Sequence, residues 1–206
     1  MTNKKPTSRQ LQALRTKQKI FDIALKLINT YGYDNVTVEQ ICKEVGVSVG
    51  GFYHHFKNKD EIIVESFKQI DTFFERMAPE VRALPGALDR IVYYFTLFGR
   101  YVTVQGVDFT SQLMKSELST TEKFTLNRER AIFTILHDIV REGQAKGQMR
   151  QDIPAEKITA DLLRFARGIA IHWCISRGGY DLEQDLTQAT KIYTIGLKPE
   201  YGSHSS

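Results

Sequence analysis

TVEQICKEVGVSVGGFYHHFKNK, residues 37–59, is the stretch whose reading decides the fold. Val38, Ile41, Cys42 and Val45 recur with the spacing of one apolar face of a short helix. Thr37 in front of them and Gln40 three residues on form a capping box, which satisfies orphan N–H groups at a helix start. Val36 and Ile41 stand where a hydrophobic staple sets the entry angle. Gly46 follows the last apolar residue, where a left-handed cap needs a residue without a Cβ. Ser48 is placed to cap a second helix, on which Val47 and Phe52 repeat the staple. Phe52 and Phe56 then share a buried face and leave Val49, Gly50, Tyr53 and His54 outside. Helix, glycine turn and helix make a helix-turn-helix.

Outward from this motif the pattern stays helical. A first helix is predicted from Ser8 to about Tyr31, with Phe21, Leu25 and Ile28 on one face and Gly32 as its stop. The seven residues before it are polar and read as an unstructured arm. Asn58 suits the cap of a fourth helix starting at Lys59 and reaching about Arg82, with Glu61 as its capping partner. Being long, that helix is expected to act as a lever between a DNA-reading head and a body. Beyond Pro85-Gly86 no strand-like alternation of useful length occurs. Helical segments are expected over residues 87–104, 109–118 and 120–146, with Gly147 as a stop. Another runs from Pro154 to Ser176, and a last one, capped by Asp181, covers residues 182–197. The expected fold is all-α, with a three-helix head at residues 8–58 and a helical bundle at residues 59–200.

Composition narrows the function. The 206 residues are 42% hydrophobic and 25% charged, as in an ordinary globular protein. No run of eighteen apolar residues is present, and the N-terminus has no apolar signal region, so a cytoplasmic protein without a membrane span is expected. Cys42 and Cys174 lie far apart within apolar helical patterns and read as buried thiols rather than a disulfide or metal site. Charge is divided unevenly. Residues 1–60 hold ten Lys/Arg against five Asp/Glu, while the remainder holds 18 against 19. The basic surplus coincides with the helix-turn-helix, as expected of a surface that meets phosphates.

The run GVSVGGFYHHFKNKDEII resembles the TetR family of bacterial transcriptional regulators through Gly46, Val47, Ser48, Gly50, Phe52, Tyr53, His54, His55, Phe56 and Lys59. The resemblance implies a homodimer on a double-stranded DNA operator. It assigns DNA contact to Thr37, Ser48, Val49, Gly50, Gly51, Tyr53, His54 and Lys59, with Tyr53 on a phosphate and His54 on a phosphate or a base. The alternative for these two residues is core packing for Tyr53 and a solvated surface for His54. Lys59 opens a helix, so its ammonium and the free N–H groups there suit one phosphate. Valine at 49 and glycine at 51 depart from the family pattern and imply sparse base readout, with specificity from DNA shape and dimer spacing.

The resemblance also implies dimerisation through the last two helices, for which Ile158, Leu162, Phe165, Ile169 and Trp173, with Leu186, Ala189 and Tyr193, form a candidate stripe. Such a stripe by itself more often marks an internal core than a dimer interface. An unknown small-molecule effector is implied for the body, lined by Tyr94, Phe98, Tyr101, Met114, Phe133, His137, His172 and Trp173. The expected function is an effector-released repressor on a palindromic operator, with no cofactor and no metal. One alternative keeps the head and gives the body a protein partner. An all-α enzyme is the other, but HExxH, CxxC, nucleophile-elbow and phosphate-loop motifs are all absent from the sequence.

Overall fold

In the computed structural model, residues 7–119 and 123–199 are described. The predicted arm at residues 1–6, the tail from residue 200 and residues 120–122 lie outside them. Among the described residues there is no strand. The chain separates into two compact units between Ser66 and Phe67.

The head begins with α1 (Ser8–Tyr31), whose start carries a capping box between Thr7 and Gln10. That box places Thr7 in the helix frame rather than in the arm. Next comes α2 (Val38–Val45), where the Thr37–Gln40 box forms as the sequence predicts: the Gln40 N–H donates to Thr37 Oγ1 at 3.2 Å and the Thr37 N–H to Gln40 Oε1 at 2.8 Å. Gly46 closes α2 with φ 80° and ψ 35°, a left-handed conformation that disfavours any side chain. Ser48 then caps α3 (Val49–His55) by accepting the Gly51 N–H at 3.0 Å. The small core beneath these helices is built from Ile20, Phe21, Ala24, Ile28, Ile41, Phe52 and Phe56, all buried.

The fourth helix, α4 (Lys59–Ala83), is continuous across the division and includes Pro79. Asn58 Oδ1 accepts the Glu61 N–H at 2.9 Å, as expected, but Glu61 returns its carboxylate to the Lys57 N–H at 2.5 Å rather than to Asn58.

The body contains α5 (Ala87–Gln105), α6 (Val107–Ser119), α7 (Ala131–Ala145), α8 (Ala155–Ile175) and α9 (Leu182–Ile195). Their large core runs from Phe74, Tyr94 and Phe95 to Leu136, Leu162, Trp173 and Leu186. Helices α5 and α9 approach closely enough that a Cβ at Gly99 would lie 2.8 Å from the Cα of Glu183. One predicted element is shorter than expected. In place of a helix over residues 120–146, a 3-10 turn occupies Phe124–Leu126 and α7 begins only at Ala131. Asn127 Oδ1 accepts the Glu129 N–H at 2.9 Å, a local turn that competes with helix.

The start of α7 is held from another helix. Asp71 on α4 accepts the Ile132 N–H at 3.0 Å through Oδ1 and Arg130 Nε at 2.8 Å through Oδ2. Arg130 also donates to the carbonyls of Phe67 at 2.7 Å and Phe124 at 3.2 Å. This buried guanidinium therefore has partners on every side, which is the condition under which a buried charge is tolerated.

Candidate nucleic-acid interface and effector pocket

On the head, the short helix α3 presents its outer face to solvent. Val49, Gly50, Tyr53 and His54 are exposed, Tyr53 with 52% of its surface open. The Tyr53 ring meets Phe52 edge-on at 5.5 Å, so the buried phenylalanine sets its direction while the phenol stays available. The core-packing alternative for Tyr53 therefore does not hold in this chain. Thr37 is exposed, and its hydroxyl accepts one backbone N–H while retaining its own O–H to donate. Gly51 is half-buried, with Ser48 Oγ 3.3 Å from the position a Cβ would take, whereas a Cβ on Gly50 would meet nothing nearer than 4.0 Å.

His55 is half-buried, as a packing residue would be. Its burial pushes the imidazole below its usual pKa, helped by the neighbouring positive charges of His54 and Lys17.

Part of the basic surplus is spent inside the head. Lys17 pairs with Glu65 at 2.7 Å, and Lys19 donates to the Val45 carbonyl at the end of α2 at 2.8 Å. Lys59, which the sequence places on a phosphate, donates to the carbonyls of Tyr33 at 2.6 Å and Val36 at 2.8 Å and lies 4.0 Å from the Tyr33 ring centroid. Two of its three ammonium donors are committed to the loop between α1 and α2, which leaves one. Local spacing could not reveal this, because the carbonyls lie 26 and 23 residues away.

The body's predicted lining residues do not converge on one cavity. Tyr94 and Phe98 are buried core; the Tyr94 hydroxyl donates to the Ile132 carbonyl at 2.6 Å. Tyr101 is half-buried, with its ring 5.1 Å from that of Phe73. Trp173 is buried and donates its indole N–H to the Tyr180 carbonyl at 3.0 Å, while His172 is exposed, 3.3 Å from the Tyr180 hydroxyl. Met114 lines a pocket of about 280 Å³ with Ser111, Ile171, Cys174 and Ile175. Phe133, on which His137 stacks at 5.9 Å, lines another of about 270 Å³. Thr125, Leu126, Arg128, Ala160, Leu163, Arg164 and Arg167 complete that second pocket. Its three arginines were not among the sequence candidates, because Arg128 is joined to Arg164 and Arg167 only by the packing of segments more than 30 residues apart.

The candidate dimer stripe is also revised. Ile158, Leu162, Trp173 and Leu186 are buried within the single chain. Large apolar residues open to solvent on the same helices are instead Ile171 and Ile175 on α8 and Ile192 and Ile195 on α9.

Among the described residues, no group of three or more His, Cys, Asp or Glu side chains is placed to hold a metal, and no helix is long and apolar enough to cross a membrane. Cys42 and Cys174 are free thiols, both pushed up in pKa by burial.

Residues 20–65 match the family model described as bacterial regulatory proteins, tetR family. Over longer spans, the fatty acid metabolism regulator protein of Bacillus subtilis (strain 168) is 23% identical over 182 residues, covering 87% of this chain and 94% of that protein. The transcriptional repressor KstR2 of Mycolicibacterium smegmatis is 23% identical over 199 residues, covering 93% and 95%. Among solved structures, the Bacillus subtilis regulator FadR in complex with stearoyl-CoA superposes with a TM-score of 0.70 at 21% identity, over 87% of this chain and 98% of that one. The head at residues 20–65 is thus similar to the tetR family of bacterial regulatory proteins, and the helical fold is shared with the solved FadR structure along the body.

Proposed function

We propose that the protein is a cytoplasmic, homodimeric repressor that binds a palindromic operator and leaves it when the body takes up a small-molecule effector. The observation that carries the reading is α3. Its frame is set by Ser48, Gly46 and the buried Phe52, and its open face offers the phenol of Tyr53, the imidazole of His54, the isopropyl group of Val49 and the bare backbone of Gly50. Tyr53 and Thr37 suit phosphate oxygens, which position a helix without reading sequence. Val49 suits a thymine methyl, and Gly50 lets the backbone approach the groove. Lys59 contributes its one remaining N–H and, more importantly, the rigidity of the loop ahead of α2.

Dimerisation is assigned to the open faces of α8 and α9. Ile175 is 74% exposed and Ile192 71%, a level at which burial against a second copy is favourable, at about 25 cal/mol per Å². A two-fold pair of heads would then meet successive major grooves. That stearoyl-CoA is bound by Bacillus subtilis FadR and lauroyl-CoA by Thermus thermophilus FadR supports an effector with an apolar chain.

The decisive experiment is selection of bound duplexes from a random DNA pool with the full-length protein. Enrichment of an inverted repeat is expected, with Tyr53→Phe weakening all duplexes alike and Val49→Ala changing base preference more than affinity. Failure of the folded dimer to enrich any sequence would overturn the operator reading. Ile192→Asp should leave a monomer in sedimentation and remove operator binding; a surviving dimer would move the interface elsewhere.

A further inference from the structure

The pocket on Phe133, Ala160 and Leu163 has an apolar floor and three guanidinium groups around it. These arginines are not equivalent. Arg128 is ion-paired with Glu156 and lies over the Phe133 ring, 6.0 Å from its centroid. Arg164 is paired with Asp161 at 2.5 Å. Arg167, deeper in the pocket and half-buried, has no hydrogen bond or ion pair among the described residues. Desolvation, followed by the like charge of Arg130, lowers its pKa to about 10, and the charge of Glu117 offsets part of this. The group therefore remains a cation at neutral pH.

The nearby acids make no hydrogen bond to Arg167 among the described residues; Glu117 Oε2 is buried without a hydrogen-bond partner, and that carboxylate acts on Arg167 only through its charge. Asp71 is occupied by Arg130 and the start of α7, and Glu117 Oε1 accepts the Thr125 N–H at 2.9 Å and the Thr125 hydroxyl at 2.6 Å. These last two bonds fix Thr125 in the pocket wall. A partly desolvated guanidinium without a hydrogen-bonding acceptor is costly unless something supplies one.

We infer that Arg167, flanked by Arg128 and Arg164, receives the anionic oxygens of an amphipathic ligand whose apolar chain lies on Phe133, Ala160 and Leu163. This rests on the proposed effector-sensing role of the body and adds to it the site that reads charge. A volume of about 270 Å³ suits the charged end and the first carbons of such a ligand rather than the whole of a large one. The planar fork of an arginine suits both carboxylate and phosphate, so a fatty carboxylate and the phosphates of an acyl-coenzyme thioester share the chemistry required.

The test uses the full-length protein with four probes sharing a twelve-carbon chain: dodecanoate, dodecyl phosphate, lauroyl-CoA and the neutral dodecanol. Binding is read by calorimetry below micelle-forming concentrations, and release of a fluorescent operator duplex is followed in parallel. At least one anionic probe is expected to bind at least tenfold more tightly than dodecanol, and Arg167→Met to remove that preference. Arg141→Met, an exposed arginine elsewhere on the body, should leave it intact. Whether the carboxylate, the phosphate ester or only the thioester shows the preference identifies the source of the anion.

Equal binding of dodecanol and every anionic probe, unchanged anion preference in Arg167→Met, or no binding by any probe would overturn the assignment. Effector sensing is judged separately. Operator release by a probe that binds independently of Arg167 would overturn this site but keep sensing. Arg167-dependent binding without operator release would keep the site and overturn sensing by it. If Arg167→Met does not fold, Arg167→Gln repeats the comparison.

Discussion

The head and the body each hold a cation away from open solvent and treat it in opposite ways. Lys59 of the head is enclosed by acceptors: two carbonyls at 2.6 and 2.8 Å and the face of Tyr33. Arg167 of the body is enclosed by apolar side chains and other arginines, with its donors unclaimed among the described residues. The first arrangement stabilises a loop that would otherwise leave backbone oxygens without donors. The second leaves a charge whose satisfaction must come from outside. A buried cation is thus structural or receptive according to its acceptors, and burial alone does not distinguish the two. Arg130 sharpens the point, because it belongs to the same body as Arg167 and is fully partnered.

The largest expected effect comes from taking Arg130's acid away. Asp71→Ala leaves a buried guanidinium without its carboxylate and α7 without its cap. It should cost about 3–5 kcal/mol in urea unfolding of the body. A loss below about 1 kcal/mol would show that Arg130 does not need Asp71. Lys59→Met should cost about 2–3 kcal/mol, because two carbonyls lose a charged donor. Its DNA affinity should fall because the head is loosened, so chemical shifts of α2 amides should move in the free protein. Unchanged shifts with weakened DNA binding would return Lys59 to a phosphate role.

Arg167→Met should have the opposite sign. Removing an unpaired charge and keeping the volume is expected to be neutral or to stabilise by about 1 kcal/mol in the absence of ligand. Destabilisation like that of Asp71→Ala would erase the contrast between the two arginines.

Smaller effects come from the head alone. Gly50→Ala is free of close contact and should stabilise α3 by about 0.5–1 kcal/mol, while weakening operator binding if the backbone approaches the groove there. Equal DNA affinity would remove Gly50 from the reading surface. The smallest is a pH effect. His55 has a folded pKa below its unfolded value, so the unfolded chain binds more protons as pH falls through that range. The head should be most stable above about pH 6.5 and lose a fraction of a kcal/mol on acidification towards the lowered folded pKa. His55→Gln should flatten that dependence in thermal unfolding between pH 7.5 and 5.5.

Legibility differed between the two units for a physical reason. The caps at Thr37, Gly46, Ser48 and Asp181 are local interactions spanning a few residues, and each forms where the spacing predicts. So does the burial of Phe52 and Phe56, which follows from the helical period. The stripe on α8 and α9 is apolar as its period predicts, yet period alone does not say which apolar face meets which neighbour. Ile158, Leu162 and Leu186 turn out to be intrachain core, and Ile171, Ile175, Ile192 and Ile195 are the open ones. The aromatic residues expected around one effector site were likewise distributed between core, surface and two pockets.

What the sequence by itself determined is therefore the helical class, the helix-turn-helix, the identity of its outward residues and the concentration of positive charge around them. These rest on contacts between residues a few positions apart, or on composition. Only the tertiary structure decided that Lys59 faces the loop carbonyls, that Asp71 caps α7 from 61 residues away, and that Arg167, of the three pocket arginines, has no ion pair among the described residues. Each of those outcomes depends on which distant groups come within about 3 Å, where a hydrogen bond or ion pair forms or fails to form. Spacing along the chain carries no record of that distance.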